Sequence, residues 1–214
     1  MSLRVGLTGS LAAGKSSVGR LLETLGARRI DADELARRAV RPGSAALEEI
    51  RRIWGDGILA ADGSLDRGAM RAVVFGDPRA RARLEEIVHA EVRALRDGWH
   101  AEAERAGARI IVDEIPLLFE LGMDDQFDTV VVVDADPAVR RARAMAARGW
   151  TADEFEAIDA SQLAPEDKVA RADHVIRNDG DEAALERAVV AVWRALETRA
   201  REDGVRASPA ADAG

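Results

Sequence analysis

Short β-branched runs alternate along the chain with longer stretches whose apolar residues recur every three to four positions. Arg4 to Thr8 reads as a first strand. Ser16 to Leu25 reads as a helix, with Val18, Leu21, Leu22 and Leu25 on one stripe. Gly26 stands where a helix stop belongs, and Arg28 to Ile30 is a short second strand. From Glu34 to about Val74 only helical patterns occur, broken by turns at Pro42-Gly43 and from Gly55 to Gly63. A long helix is expected from Pro78 to about Arg105, with Leu84, Ile87, Val88, Val92, Leu95 and Trp99 as apolar positions. Arg109 to Val112 and Thr129 to Val133 have the form of buried strands. Pro137 to Arg148 is a helix capped by Asp136, His174 to Ile176 a last strand, and Asp181 to Ala200 a final amphipathic helix. Beyond about Arg201 the periodicity fades, so residues 201–214 are expected to form a disordered tail.

Strands that alternate with helices predict a three-layer α/β/α fold around a five-stranded parallel sheet. The strandless middle predicts a helical insertion, about 34–105, in a core built from about 1–33 and 106–200. The 214 residues suffice for one such domain.

Composition narrows the function classes. The net charge of −8 argues against a general nucleic-acid or membrane-surface binder. With no cysteine, neither a disulfide framework nor a cysteine zinc site is available. No signal-peptide pattern opens the chain, and its longest apolar run is far too short to span a bilayer, so a cytoplasmic protein is expected. Of 31 basic residues only Lys15 and Lys168 are lysine.

Lys15 falls in Gly9-Ser10-Leu11-Ala12-Ala13-Gly14-Lys15-Ser16, which fits G-x-x-x-x-G-K-[ST]. The glycines let the backbone curl so that its N–H groups face phosphates, and the following helix adds its positive N-terminus. Lysine reaches the β- and γ-phosphates, and the Ser16 hydroxyl suits Mg²⁺. A chance match is expected roughly 10⁻³ times in a chain of this composition. A strand before the motif and a helix after it strengthen the match.

Several acids could complete such a site. Asp31 and Asp33 follow the second strand, and if that segment is extended they share one side. Either could accept a proton, although the local pattern favours helix capping. Asp113 and Asp134 each end an apolar strand and could hold a metal through water, or simply terminate the strand. In the helix from Pro137, Arg140 and Arg143 share one face and Arg141 and Arg148 another. Arginines there could cover a transferring phosphoryl group, while a solvated basic face is the plainer reading. His89, His100 and His174 lack metal-ligand spacing.

Together these pieces resemble the dephospho-coenzyme A kinase family, from about Arg4 to Ala200. Beyond the phosphate loop, the resemblance rests on Asp31-Ala32-Asp33, Gly63-Ser64-Leu65-Asp66-Arg67 and Val74-Phe75. It continues through the segment from Leu84 to His89, Pro116-Leu117-Leu118-Phe119-Glu120, Gln162, Lys168, Ala172-Asp173 and Ile176 to Gly180. It implies a P-loop NTPase core, a helical substrate-binding region and a lid at about 137–165. It also implies transfer of the γ-phosphoryl of ATP, with Mg²⁺, to the ribose 3′-hydroxyl of dephospho-coenzyme A, the last step of coenzyme A synthesis. Under it, Lys15, Asp33, Arg143 and Arg140 carry the chemistry, with Asp33 orienting or deprotonating the hydroxyl. Gly9, Leu11, Ala12, Ala13, Gly14, Lys15, Ser16 and Ser17 hold the phosphates, and Asn178 and Gly180 lie near the adenine. Arg67, His89, Leu117, Leu118 and Glu120 surround the acceptor. Ser16 and Asp113 support the metal, with Glu114 the alternative. The sequence departs from the family's habit at Ser10 and Ala12, where glycine is usual, and at Ala90, where proline is common. It departs again at Arg140, often glutamine, at Ala147, often arginine, and around Ile158 and Asp159.

The expected partner is a small molecule, with no nucleic acid and no membrane, and the chain is expected to be a monomer with weak self-association open. Competing readings are another small-molecule or nucleoside P-loop kinase, a GTPase switch, and a non-catalytic nucleotide-binding relative. The GTPase reading lacks an Asn-Lys-x-Asp motif, because Asn178, the one asparagine, is followed by Asp179.

Overall fold

The structure, a computed structural model, describes residues 2–206. Five strands carry the architecture: β1 (Leu3–Gly9), β2 (Arg28–Asp31), β3 (Ile110–Glu114), β4 (Thr129–Asp134) and β5 (His174–Arg177). They form one parallel sheet in the order β2-β3-β1-β4-β5. β1 sits in the middle, with Leu3 opposite Ile110 on one side and Val5 opposite Thr129 on the other. Every residue of β3 and β4 is buried, as continuous apolar runs covered on both faces should be. The expected fold class holds.

Helix α1 (Lys15–Thr24) follows β1 directly and packs Val18 and Leu22 onto the sheet. The last helix, α9, buries Leu185, Val189 and Leu196 in the same core. It runs Glu182–Arg206, so the first six residues of the expected tail are helical. An Arg201–Glu197 pair one turn apart supports its continuation past the point where apolar periodicity stops. Residues 207–214 lie outside the described residues.

The chain divides into two compact units, residues 1–30 with 103–214, and residues 31–102. The second unit holds α2 (Ala32–Ala39), α3 (Ala45–Trp54), α4 (Arg67–Val74) and most of α5 (Pro78–Arg105). It has its own apolar centre of Leu47, Ile50, Ile58, Met70 and Ile87. Asp31, Ser44 and Asp66 each cap the helix that follows them. Among the described residues, no helix is long and apolar enough to cross a membrane.

The remaining helices belong to the first unit: α6 (Pro137–Arg148), α7 (Ala152–Asp159) and α8 (Pro165–Ala170). α6 keeps the predicted limits, with Pro137 in its first turn, the Asp136 side chain accepting from Ala138 N–H, and Gly149 closing it in the left-handed region.

Candidate active site

The turn between β1 and α1 is built to meet an anion. Gly9 (φ 153) passes so close to β4 that a Cβ there would stand 2.0 Å from the Val133 carbonyl oxygen. Gly14 (φ 97) starts α1, and a Cβ there would meet the Asn178 amide nitrogen at 2.3 Å. No side chain caps α1 and no acid occupies its first turn, so its positive end is left for a ligand. Lys15 Nζ lies back on the loop, 3.2 Å from the Gly9 carbonyl oxygen.

Ser10 and Ala12, the two departures from a glycine-rich loop, have separate explanations. The buried Ser10 hydroxyl donates to Asp134 Oδ1 at 3.0 Å, and Arg177 donates to the other oxygen of that carboxylate at 2.6 Å. Asp134, weighed from sequence as a possible metal support, thus anchors the loop to β4. Ala12 adopts φ 57, alone among the described non-glycine residues in having a positive φ. It keeps the left-handed turn at the steric cost of a Cβ.

Of the two acids weighed beside Ser16, Glu114, the alternative to Asp113, is the one in contact with it. Ser16 Oγ donates to Glu114 Oε1 at 2.6 Å, and Arg29 donates to Glu114 Oε2 at 2.9 Å. Adjacent strand residues point to opposite faces, so only one of Asp113 and Glu114 can turn toward α1. The register sets Leu7 beside Glu114 and Gly6 beside Asp113, and Glu114 is the one facing α1. A hydroxyl and a carboxylate in contact are hard oxygen donors of the kind Mg²⁺ takes beside phosphate and water.

Next to the loop is a pocket of about 430 Å³ lined by Gly14, Ser17, Arg20, Arg143, Asn178 and Gly180, among others. Asn178 donates from Nδ2 to the Ala13 carbonyl at 2.8 Å. Arg143 donates to the Asn178 carbonyl at 2.9 Å. The sequence-predicted Asn178, Gly180, Arg143, Gly14 and Ser17 are therefore brought together, and Arg20 joins them unforeseen.

Three other expectations change. Arg140 is not offered to a ligand: it is 1% exposed and held by Asp159 through two hydrogen bonds of 2.5 and 3.1 Å. A buried guanidinium needs such a partner, so Arg140 is committed to the fold. Leu118 is fully buried, and Glu120 pairs with the buried Lys168 ammonium at 2.8 Å and accepts from Leu163 N–H. Burial pushes the Glu120 carboxyl up, but the Lys168 and Leu163 hydrogen bonds outweigh it and hold it below the usual carboxylate range. Of the three acceptor candidates in this segment, Leu118 is closed off, while Leu117 and Glu120 both reach the surface. Arg148, expected on a face with Arg141, lies 4.7 Å over the Trp150 ring.

In the second unit, β2 ends at Asp31 and α2 begins at Ala32, so the shared-side expectation for Asp31 and Asp33 does not hold. Asp31 does the capping, accepting from Asp33 N–H at 2.8 Å and Glu34 N–H at 3.3 Å. The Asp33 carboxylate stays exposed in the first turn of α2. Arg67, at the start of α4, and His89, on α5, are also exposed.

Residues 3–184 match the family model described as dephospho-CoA kinase. A Geobacter sulfurreducens protein named dephospho-CoA kinase is 44% identical over 189 residues, 88% of this chain and 96% of its own. A solved Thermus thermophilus structure superposes with a TM-score of 0.76 at 36% identity, covering 91% of this chain and 98% of that one. The dephospho-CoA kinase from Campylobacter jejuni gives 0.69 at 26% identity, covering 92% and 98%. An agreement that spans nearly the whole of both partners, in sequence and in backbone, places this chain in the dephospho-CoA kinase family.

Proposed function

We propose that this chain transfers the γ-phosphoryl group of ATP to the ribose 3′-hydroxyl of dephospho-coenzyme A, giving coenzyme A and ADP. The observation that carries the reading is a complete anion-binding turn, from Gly9 to Ser16, in a chain of this family.

Lys15 and the loop N–H groups bind the phosphates, and the α1 N-terminus adds its field. The pocket lined by Ser17, Asn178 and Gly180 takes the adenine. Arg143 lines that pocket, and its charge covers the phosphoryl group in transit. Asp33 is the proton acceptor for the 3′-hydroxyl: its carboxylate is exposed, and Asp31 relieves it of capping. Arg67, His89 and Leu117 are the acceptor-side contacts. Ser16 and Glu114 hold Mg²⁺, which when bound neutralises charge on the β- and γ-phosphates. The same reading has the enzyme acting as a cytoplasmic monomer without nucleic acid or membrane.

The test is direct. Incubation with ATP, Mg²⁺ and dephospho-coenzyme A should yield equimolar coenzyme A and ADP by mass spectrometry. No coenzyme A at high enzyme concentration would sink the assignment. ADP formed only with a different acceptor would move it to another small-molecule kinase.

A further inference from the structure

Arg140 is the largest fully buried side chain among the described residues. Its guanidinium joins three parts of the first unit. It makes two hydrogen bonds to Asp159 at the end of α7, and Nε donates to the Ala135 carbonyl just after β4 at 3.2 Å. Nη1 also reaches the Leu11 carbonyl of the phosphate loop at 3.4 Å. The Phe155 ring lies 5.7 Å from the guanidinium carbon. Around this charge is a small apolar cluster of Leu11, Ala144 and Phe155, with Ala12, Trp150 and Ile158 against it. The loop thus touches α6 and α7 through both its side chains and its backbone.

The direction of those backbone contacts matters. A peptide is planar and trans, so a carbonyl drawn one way turns the next N–H the other way. Arg140 draws the Leu11 carbonyl out of the loop, and the Asn178 amide does the same to the Ala13 carbonyl. The N–H groups of Ala12 and Gly14 are thereby turned the opposite way. A phosphate cradle requires inward-facing N–H groups. Ala12 holds a left-handed conformation that an L residue does not choose by itself, so the turn needs support from outside.

We infer that the Arg140–Asp159 pair is a positioning device for nucleotide binding: it holds the Leu11–Ala13 backbone in the phosphate-accepting shape from outside the site. This rests on the kinase reading above and adds to it. Arg140 touches no substrate in this role, and Asp159 acts through Arg140. The pair also makes α7 and the phosphate loop a single mechanical element, so a displacement of α7 alters the affinity for the donor.

The test compares the full-length chain with Arg140→Gln/Asp159→Asn, which removes both charges together and leaves neither stranded. ADP affinity is measured by calorimetric titration, and KM is measured for each substrate. Loss of one or two hydrogen bonds that orient the loop should weaken ADP binding and raise KM for ATP by about tenfold. KM for the acceptor should change less than twofold. Unchanged ADP affinity would overturn the inference, and so would parallel weakening of both substrates, since either result would make the pair a fold support only. Should the double variant fail to fold, Arg140→Lys carries the same comparison. It keeps a charge opposite Asp159 but cannot also span the Ala135 and Leu11 carbonyls. Wild-type ADP affinity in that variant would likewise overturn the inference. Because ADP binding is read without an acceptor, failure to convert dephospho-coenzyme A would remove the acceptor assignment and leave this comparison intact.

Discussion

At the residue scale the aspartates at the end of β2 and the start of α2 differ in a way that sequence could not separate. Asp31 accepts the helix N–H groups, and the proposed reaction gives the proton transfer to Asp33. Asp33→Asn should lower turnover by about 10²–10⁴-fold, the usual worth of a positioned proton acceptor, with ADP affinity unchanged. Near-normal single-turnover rates in that variant would remove Asp33 from the mechanism. Ala12 presents the opposite case, a residue at odds with its backbone. Its Cβ in the left-handed region costs about 1–2 kcal/mol, and a glycine would relieve this while adding about 0.5–1 kcal/mol of unfolded-chain freedom. Ala12→Gly is therefore expected to raise stability by up to about 1 kcal/mol in urea unfolding. A clear loss would mean that the methyl's packing beside Leu11 outweighs the strain.

At the element scale, what was legible followed from periodicity and punctuation. α5 and α6 begin at a proline and keep their predicted limits, because proline fixes the first turn and apolar spacing fixes the rest. The phosphate loop was legible because each fixed position answers a chemical need. α7 and α8 were missed, though both left marks. Thr151 and Glu154 form a capping box, and Pro165 opens α8. The choice between Asp113 and Glu114 was beyond local sequence, since it depends on which strand face meets α1. The roles of Arg140, Glu120 and Lys168 were hidden for a related reason: each is set by a partner far away in sequence. Lys168, one of two lysines in an arginine-rich chain, fills a buried place beside a carboxylate.

The Lys168–Glu120 pair ties α8 to the segment after β3, and its titration gives a pH signature. The Glu120 carboxyl is held below its ordinary value of about 4.5. Its contribution to stability is therefore present above that pH and is lost as pH falls through the lowered folded value. The difference in melting temperature between wild type and Glu120→Gln should be constant near neutrality and shrink below about pH 4. A difference that grew on acidification would contradict the pairing. Glu120→Ala, which strands the fully buried Lys168 ammonium, should cost about 3 kcal/mol in chemical unfolding.

At the scale of the whole molecule, a ligand that holds residues of β1, α1 and β3 together with the segment after β5 should stabilise the fold by mass action. ADP with Mg²⁺ at a hundred times its dissociation constant is expected to add about 2.7 kcal/mol. For a chain of this size that corresponds to a rise in melting temperature of roughly 5–10 °C by calorimetry. Chelating the metal should reduce the rise, and Glu114→Gln should reduce the difference that chelation makes. An equal shift with and without Mg²⁺ would argue against Ser16 and Glu114 as its support.

The contact between Asn178 and the phosphate loop has a consequence for how the protein is made. Residues 9–16 are synthesised well before their support: Asn178, which draws the Ala13 carbonyl outward, follows Ala13 by 165 positions. The strands flanking β1 also come late, from residues 110 and 129 onward. At about 5–20 residues per second, the apolar β1 waits on the order of ten seconds for a neighbour other than α1. During that interval the nascent chain carries the phosphate-loop sequence without the shape that binds phosphate. Nucleotide therefore cannot assist the early steps of folding and can only reward a chain whose last strand has already docked.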